Sequence, residues 1–245
     1  MKLHPAAIGA VALVVSVVCL AAGFWQLSRM GGKRALNAAR AAALAASPEP
    51  LGVTSDALLR QTGRKVVAQG VYDESRHVLL SARFHDAELG VEVLTPLLTA
   101  SSGALLVDRG WVRAEDGQTA RPESLPEPGP RFVTGLLERL PARDAMPPWR
   151  RLEGEGAELW STHELDSASV AAHLPYPHAP YVLVALPDPA APAEPVRSGP
   201  PQFDEQVHLS YAIQWFVFAL VTIVGTATLA LRRRAPGAGA AGPRA

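Results

Sequence analysis

The chain is poor in cysteine: Cys19 stands alone in 245 residues. One thiol excludes a disulfide framework and any zinc site built on several thiolates within the chain. Cys19 lies in an apolar stretch, where a packed membrane cysteine is the expectation, and the bulky Val18 before it argues against lipoprotein processing. An excess of one charge is also missing, with 23 Lys and Arg against 23 Asp and Glu. No basic stripe is present, so nucleic acid is not an expected partner. There is no phosphate loop, no G-x-G-x-x-G, no G-x-S-x-G and no H-E-x-x-H. No internal repeat of fixed period occurs. The carboxylates scatter without an acid–base pair, and no nucleophile constellation stands out. A membrane-anchored enzyme is therefore the weakest of the functional readings.

The charge balance hides two long gaps. No Asp, Glu, Lys or Arg occurs from Leu3 to Ser28 or from Gln206 to Leu231. Between the gaps lie all 23 acids against 18 of the bases, an acidic middle. Each gap holds an apolar run long enough to cross a bilayer. Ala6 to Phe24 is 19 residues, roughly 28 Å as helix. Leu209 to Leu231 is 23 residues, roughly 35 Å. A hydrocarbon core is about 30 Å thick. The second run holds eleven Leu, Val, Ile and Phe, and only Gln214 clearly opposes insertion. The first run is longer than a signal-peptide core, so an uncleaved anchor is favoured over a leader cut at "LAAGF". It begins by residue 6, which leaves no room for a transit peptide and points to the bacterial inner membrane.

Arg232, Arg233 and Arg234 abut the second span and place the C-terminus in the cytoplasm. Two spans then place the N-terminus there as well, with the middle outside. Arg29, Lys33, Arg34 and Arg40, against Lys2 alone, point the other way. The triple arginine outranks them, because long translocated domains largely escape the charge rule.

The fold class expected is a membrane protein: two transmembrane α-helices flank an extracytoplasmic α+β domain with a mainly antiparallel sheet or small open barrel. The divisions are 1–24 for the tail and first span, 25–186 for the domain, 187–207 for a Pro-rich linker, 208–231 for the second span and 232–245 for a disordered tail. Trp25 to Ala46 reads as helix, with Gly31 and Gly32 as the candidate kink near its start. Thr54 or Ser55 caps a short helix through Leu59. Strand patterns cover 64–72, 77–83, 90–98, 104–112, 131–140 and 181–186, with a short helix at 167–174. Asp73, Gly90, Ser102 and Gly103 mark turns. Gly70 and Gly110 inside strand patterns suggest bulges or close backbone approach. "PESLPEPGP" (122–130) reads as a loop, and "PDPAAPAEPVRSGPP" (187–201) as an extended return to the membrane.

Of the seven histidines, His4, His77, His85, His163, His173 and His178 show no metal-ligand spacing. His208 differs by its setting. In "HLSYAIQWFVFAL", His208, Tyr211 and Trp215 fall at i, i+3 and i+7 and share one helix face at the outer interface. Imidazole is a common axial ligand of haem iron, and aromatic walls suit a flat apolar macrocycle. Interfacial anchoring explains Trp and Tyr there equally well. Across from it, in "GFWQLSRMGGK" (23–33), Trp25 and Arg29 lie at the same depth if the spans run antiparallel. Arg29 or Lys33 is suited to a haem propionate, or else simply snorkels. Gln214 lies off the His208 face and is assigned to contact with another helix.

"GFWQLSR", "GVYD" (70–73), "GVEVLTPL" (90–97), "VDRGWV" (107–112) and "HLSYAIQWF" (208–216) together resemble, in order, the surfeit locus protein one family. The resemblance covers nearly the whole chain, including both spans. It implies an assembly factor, not an enzyme, for an aa3-type cytochrome c oxidase. Such a factor binds haem a transiently and assists its insertion into subunit I. It implies His208 as ligand to the haem iron, with Trp25, Gln26 and Arg29 matching the first motif and Tyr211 and Trp215 the last. Arg109, Gly110 and Trp111 match the middle motif, and Arg109 and Trp111 are the candidate partner-binding residues. Arg109 fixes a loop, faces a partner or simply pairs with an acid; Trp111 either packs the sheet or anchors an interface. Subunit I and the lipid bilayer are the expected partners, with haem a synthase and other assembly factors as further candidates. A haem-free scaffold that holds subunit I, or gathers those factors, is the rival. Two departures stand out. Asp108 replaces a frequent Asn, and Gln206 and Val207 replace paired asparagines, which removes the asparagine amides from beside the proposed ligand.

Overall fold

The computed structural model describes residues 5–100, 103–142, 147–154, 156–175 and 177–234. Lys2, His4, Ser102 and the tail expected from Ala235 lie outside them. In chain order the elements are α1 (Pro5–Ala45), β1 (Glu49–Pro50), α2 (Ser55–Gln61), β2 (Lys65–Tyr72), β3 (Arg76–His85), β4 (Glu88–Thr99) and β5 (Gly103–Arg113). There follow β6 (Arg131–Arg139), β7 (Arg150–Leu152), β8 (Glu158–Thr162), α3 (Ser167–His173), β9 (His178–Ala185) and α4 (Gln206–Arg234).

Two compact units result. One comprises Met1–Ala38 with Gln202–Ala245, the other Ala39–Pro201. The boundary therefore falls inside α1, which runs unbroken through Gly31 and Gly32. Residues 25–38 belong with the spans, and the Pro-rich stretch to residue 201 belongs with the sheet. Both α1 and α4 contain a segment long and apolar enough to cross a membrane. Val11, Leu13, Val14, Phe218, Leu220 and Val221 are exposed along them, as on lipid-facing helices and unlike the core helix of a soluble protein.

In the second unit the described strands form one sheet that closes on itself. β2 pairs with β6, β6 with β9, and β5 with β4, all antiparallel. β9 lies between β6 and β5, parallel to the latter. Val71↔Leu98 and Tyr72↔Leu97 join β2 to β4 and close a five-strand barrel. β3 extends from β4 as a hairpin, β8 and β7 continue it outward, and β1 flanks β2. Alternation explains the interior. Val66 and Ala68 of β2 point in, with Leu97, Leu105, Val107, Leu137 and Leu183 from the other four strands. Burying each such Val or Leu stabilises by roughly 1.5–3 kcal/mol. The outer faces of β3, β4 and β5 carry a second cluster, in which Val78, Leu80, Leu94 and Leu106 pack with Val170 and Leu174 at α3.

The six strand patterns and both short helices lie where the alternation and caps placed them. Thr54 caps α2 by accepting from Ala57 N at 3.2 Å. The strands β1, β7 and β8 were not anticipated, because two, three and five residues are too short to show a period. The proline-rich segment is not a free tether. Val196 bridges Trp111, with mutual N–H···O bonds of 3.0 and 2.7 Å, and Ser198 Oγ lies 3.2 Å from His85 Nδ1.

Candidate functional site

Within the helical unit α1 and α4 run antiparallel. Phe216 packs on Gly23, where a Cβ would lie 2.6 Å from its ring, and meets Phe24 edge-on at 5.3 Å. Ser16, Cys19, Ala212 and Ala219 are buried along the same seam, so small residues let the helices approach. At its other end Asn37 Nδ2 donates to Phe203 O and to Glu205 Oε1, each at 2.9 Å, and Asn37 Oδ1 accepts from Phe203 N at 2.9 Å. Arg34 Nε adds a 3.0 Å pair with Glu205. These bonds, Asn37 first and Arg34 second, hold the Glu205 carboxyl below the usual carboxylate range. They fix the chain just before α4 begins.

One turn later stands His208, half-buried, its Nδ1 2.7 Å from Gln26 Oε1. An amide oxygen only accepts, so Nδ1 carries the proton and Nε2 keeps its lone pair. Tyr211 and Trp215 follow at the expected spacing. Tyr211 is exposed, and Trp215 is half-buried with its ring 6.1 Å from Phe218. Trp25 and Arg29 are exposed on the turns around Gln26. Among the described residues neither makes a hydrogen bond or ring contact with His208, and Arg29 has no acid partner. Gln214 is exposed, away from α1. Sequence reasoning placed Gln26 in a motif but missed its bond to His208. An amide from the other helix thus stands beside the ligand where this chain lacks the paired asparagines. The available signal was the i, i+3, i+7, i+10 spacing of Ser16, Cys19, Gly23 and Gln26.

The second motif lies in the barrel wall. The β4–β5 register slips between Val93↔Gly110 and Leu94↔Asp108, so Arg109 has no cross-strand partner. That bulge turns Arg109 inward, and it is 0% exposed. Its Nε and Nη2 donate to Glu127 Oε1 at 3.2 and 3.0 Å, and Nη2 also to Leu125 O. Its Nη1 reaches Glu74 and Thr95 Oγ1, both at 3.4 Å, and its guanidinium stacks 5.1 Å over Tyr72. Glu127 also binds Arg131 and Arg197. Of the expectations for Arg109, fixing a loop and pairing with an acid are the ones the fold meets. It has no surface to offer a partner, which corrects its assignment as a partner-binding residue. Trp111 is half-exposed; it donates to Arg83 O at 3.1 Å and lies 5.3 Å from the His85 ring.

Buried polar neighbours of this cluster titrate abnormally. Burial holds His77 below the usual histidine range, although Glu74 opposes it. Its Nε2 donates to Glu74 O at 3.0 Å, which leaves Nδ1 to accept from Thr95 Oγ1 at 2.9 Å. Burial, then the charge of Glu92, raises Asp108 well above the carboxylate range, against the Gly110 N–H at 3.0 Å and Arg83. Burial likewise raises the Tyr72 phenol.

A closed five-strand barrel whose sequence is inserted between two apolar helices, with a histidine held in the helix pair and an arginine locked in the barrel wall, defines a class of proteins with helix–barrel–helix chain order. The chain belongs to the SURF1 family, whose model matches residues 13–220. That family is linked to cytochrome oxidase assembly and is not one of enzymes. Uncharacterized SURF1-like proteins of Mycobacterium bovis and Mycobacterium tuberculosis are 28% identical over 163 residues, 66% of this chain. The match spans 58% of the length of those curated relatives.

Proposed function

We propose that this protein is a non-catalytic assembly factor for an aa3-type cytochrome c oxidase. It sits in the bacterial inner membrane through α1 and α4, binds haem a through His208, and presents it to subunit I. The observation that supports this most is the hydrogen bond from Nδ1 to Gln26, which leaves Nε2 as a free donor toward iron. The surroundings suit the cargo. Tyr211 and Trp25 offer apolar ring surface, and Arg29 is an uncommitted cation for a propionate. No group of three or more His, Cys, Asp and Glu among the described residues is arranged to hold a bare metal ion. Iron here would come held in its porphyrin, with one imidazole from the chain. A single ligand in an open setting favours release as well as capture.

The test is the visible spectrum of the full chain purified from cells that make haem a. Wild type is expected to carry haem a near one per chain and His208→Ala little of it. Wild type without haem a rejects the carrier role. Wild-type absorption in His208→Ala rejects the ligand. A wild type without haem a favours the haem-free scaffold, acting on subunit I or other assembly factors through Trp111, a member of the middle motif with exposed surface.

A further inference from the structure

We infer that Gln26 is a positioning residue: its side-chain oxygen selects the tautomer of His208 and points Nε2 at the incoming iron. The inference rests on the haem reading above and deepens it: Gln26, which enters there only as a hydrogen-bond partner, is assigned control of the ligand's tautomer and aim. The two residues stand 182 positions apart and meet at 2.7 Å across the helix pair. Imidazole in water prefers its proton on Nε2, which would block that nitrogen as a ligand. An acceptor fixed opposite Nδ1 reverses the preference, because the bond exists only when Nδ1 is protonated. Gln26 is itself held in place. It lies one turn beyond Gly23, where Phe216 packs, and α4 is pinned one turn before His208 by Asn37, Arg34 and Glu205. The geometry is therefore set from both sides before any ligand arrives, so the cost of orienting the ring is met in folding.

Two substitutions separate this role from simple helix packing. Gln26→Leu keeps the bulk and removes the acceptor; Gln26→Glu keeps an acceptor of the same length. In full-length protein in detergent with nitrogen-15 histidine, wild type is expected to show His208 protonated on Nδ1. Gln26→Leu is expected to move most of the population to Nε2–H and to weaken haem a binding by about 10–100-fold. Gln26→Glu is expected to keep the wild-type tautomer and affinity, and to lower the midpoint potential of the bound haem. Its retained tautomer also shows that position 26 tolerates change without loss of the fold. Wild-type tautomer or wild-type affinity in Gln26→Leu overturns the inference. A wild type that takes up no haem a overturns the functional reading and this role together. That failure is distinct, because it precedes any substitution and leaves the nitrogen spectrum of the free chain as described.

Discussion

Glu127 answers for three arginines at once. Its carboxylate is buried, and Arg109, Arg131 and Arg197 all converge on it. Glu127→Gln removes the nearer of the two acids on the buried Arg109 guanidinium and leaves it Glu74 at 3.4 Å, and breaking a buried pair costs about 3–5 kcal/mol. Thermal unfolding should show that loss, whereas Arg131→Ala, whose side chain is 26% exposed, should cost about 0–1 kcal/mol. Residues of this kind were only half-legible in the sequence. Arg109 announced itself by its motif, but period-two alternation does not reveal which way a bulged residue points. His208 became a candidate by its helical spacing and the leading one only through the family resemblance. Gln26, its partner, is local in space and remote in sequence, and one chain does not report such pairs.

At the scale of elements, the bulge that turns Arg109 inward also buries Asp108. Its folded carboxyl titrates above its unfolded value, about 3.9. The sign follows: the folded form binds the proton more tightly, so this contribution is full below the unfolded value and is lost as pH rises through the folded one. Asp108→Asn retains an oxygen for the Gly110 N–H and has no charge to bury. The variant should match wild type in acid and exceed it in stability toward neutral and alkaline pH, as denaturant midpoints across pH would show. A constant difference at all pH values would contradict the assignment. Gly110 itself sits at φ +125° with its backbone against Val196, a position where a side chain is strained and crowded. There the barrel wall and the proline-rich return meet backbone to backbone. The alternation, caps and turn residues made most strands readable. What they concealed was the return segment, since proline richness reads as a tether even where Trp111 and Glu127 bind it down.

For the whole molecule, the two charge-free stretches and the strand run between them gave the architecture from composition alone. Barrel closure was not legible, because it depends on a two-residue register between β2 and β4. Orientation in the membrane remains an argument from charge. Arg232 to Arg234 predict that a phosphatase fused after the last residue stays inactive, and that one fused at residue 186 is active; the reverse pattern would invert the topology. The order of strands around the barrel carries a consequence for biosynthesis. β9 is the last of the described strands to be made, yet it sits between β6 and β5. Until residue 185 has been added, the sheet is open along two long edges, each a template for aggregation. A premature stop anywhere in the preceding 180 or so codons would therefore not yield a smaller working domain. It would yield an unsealed one that the cell must shield or degrade.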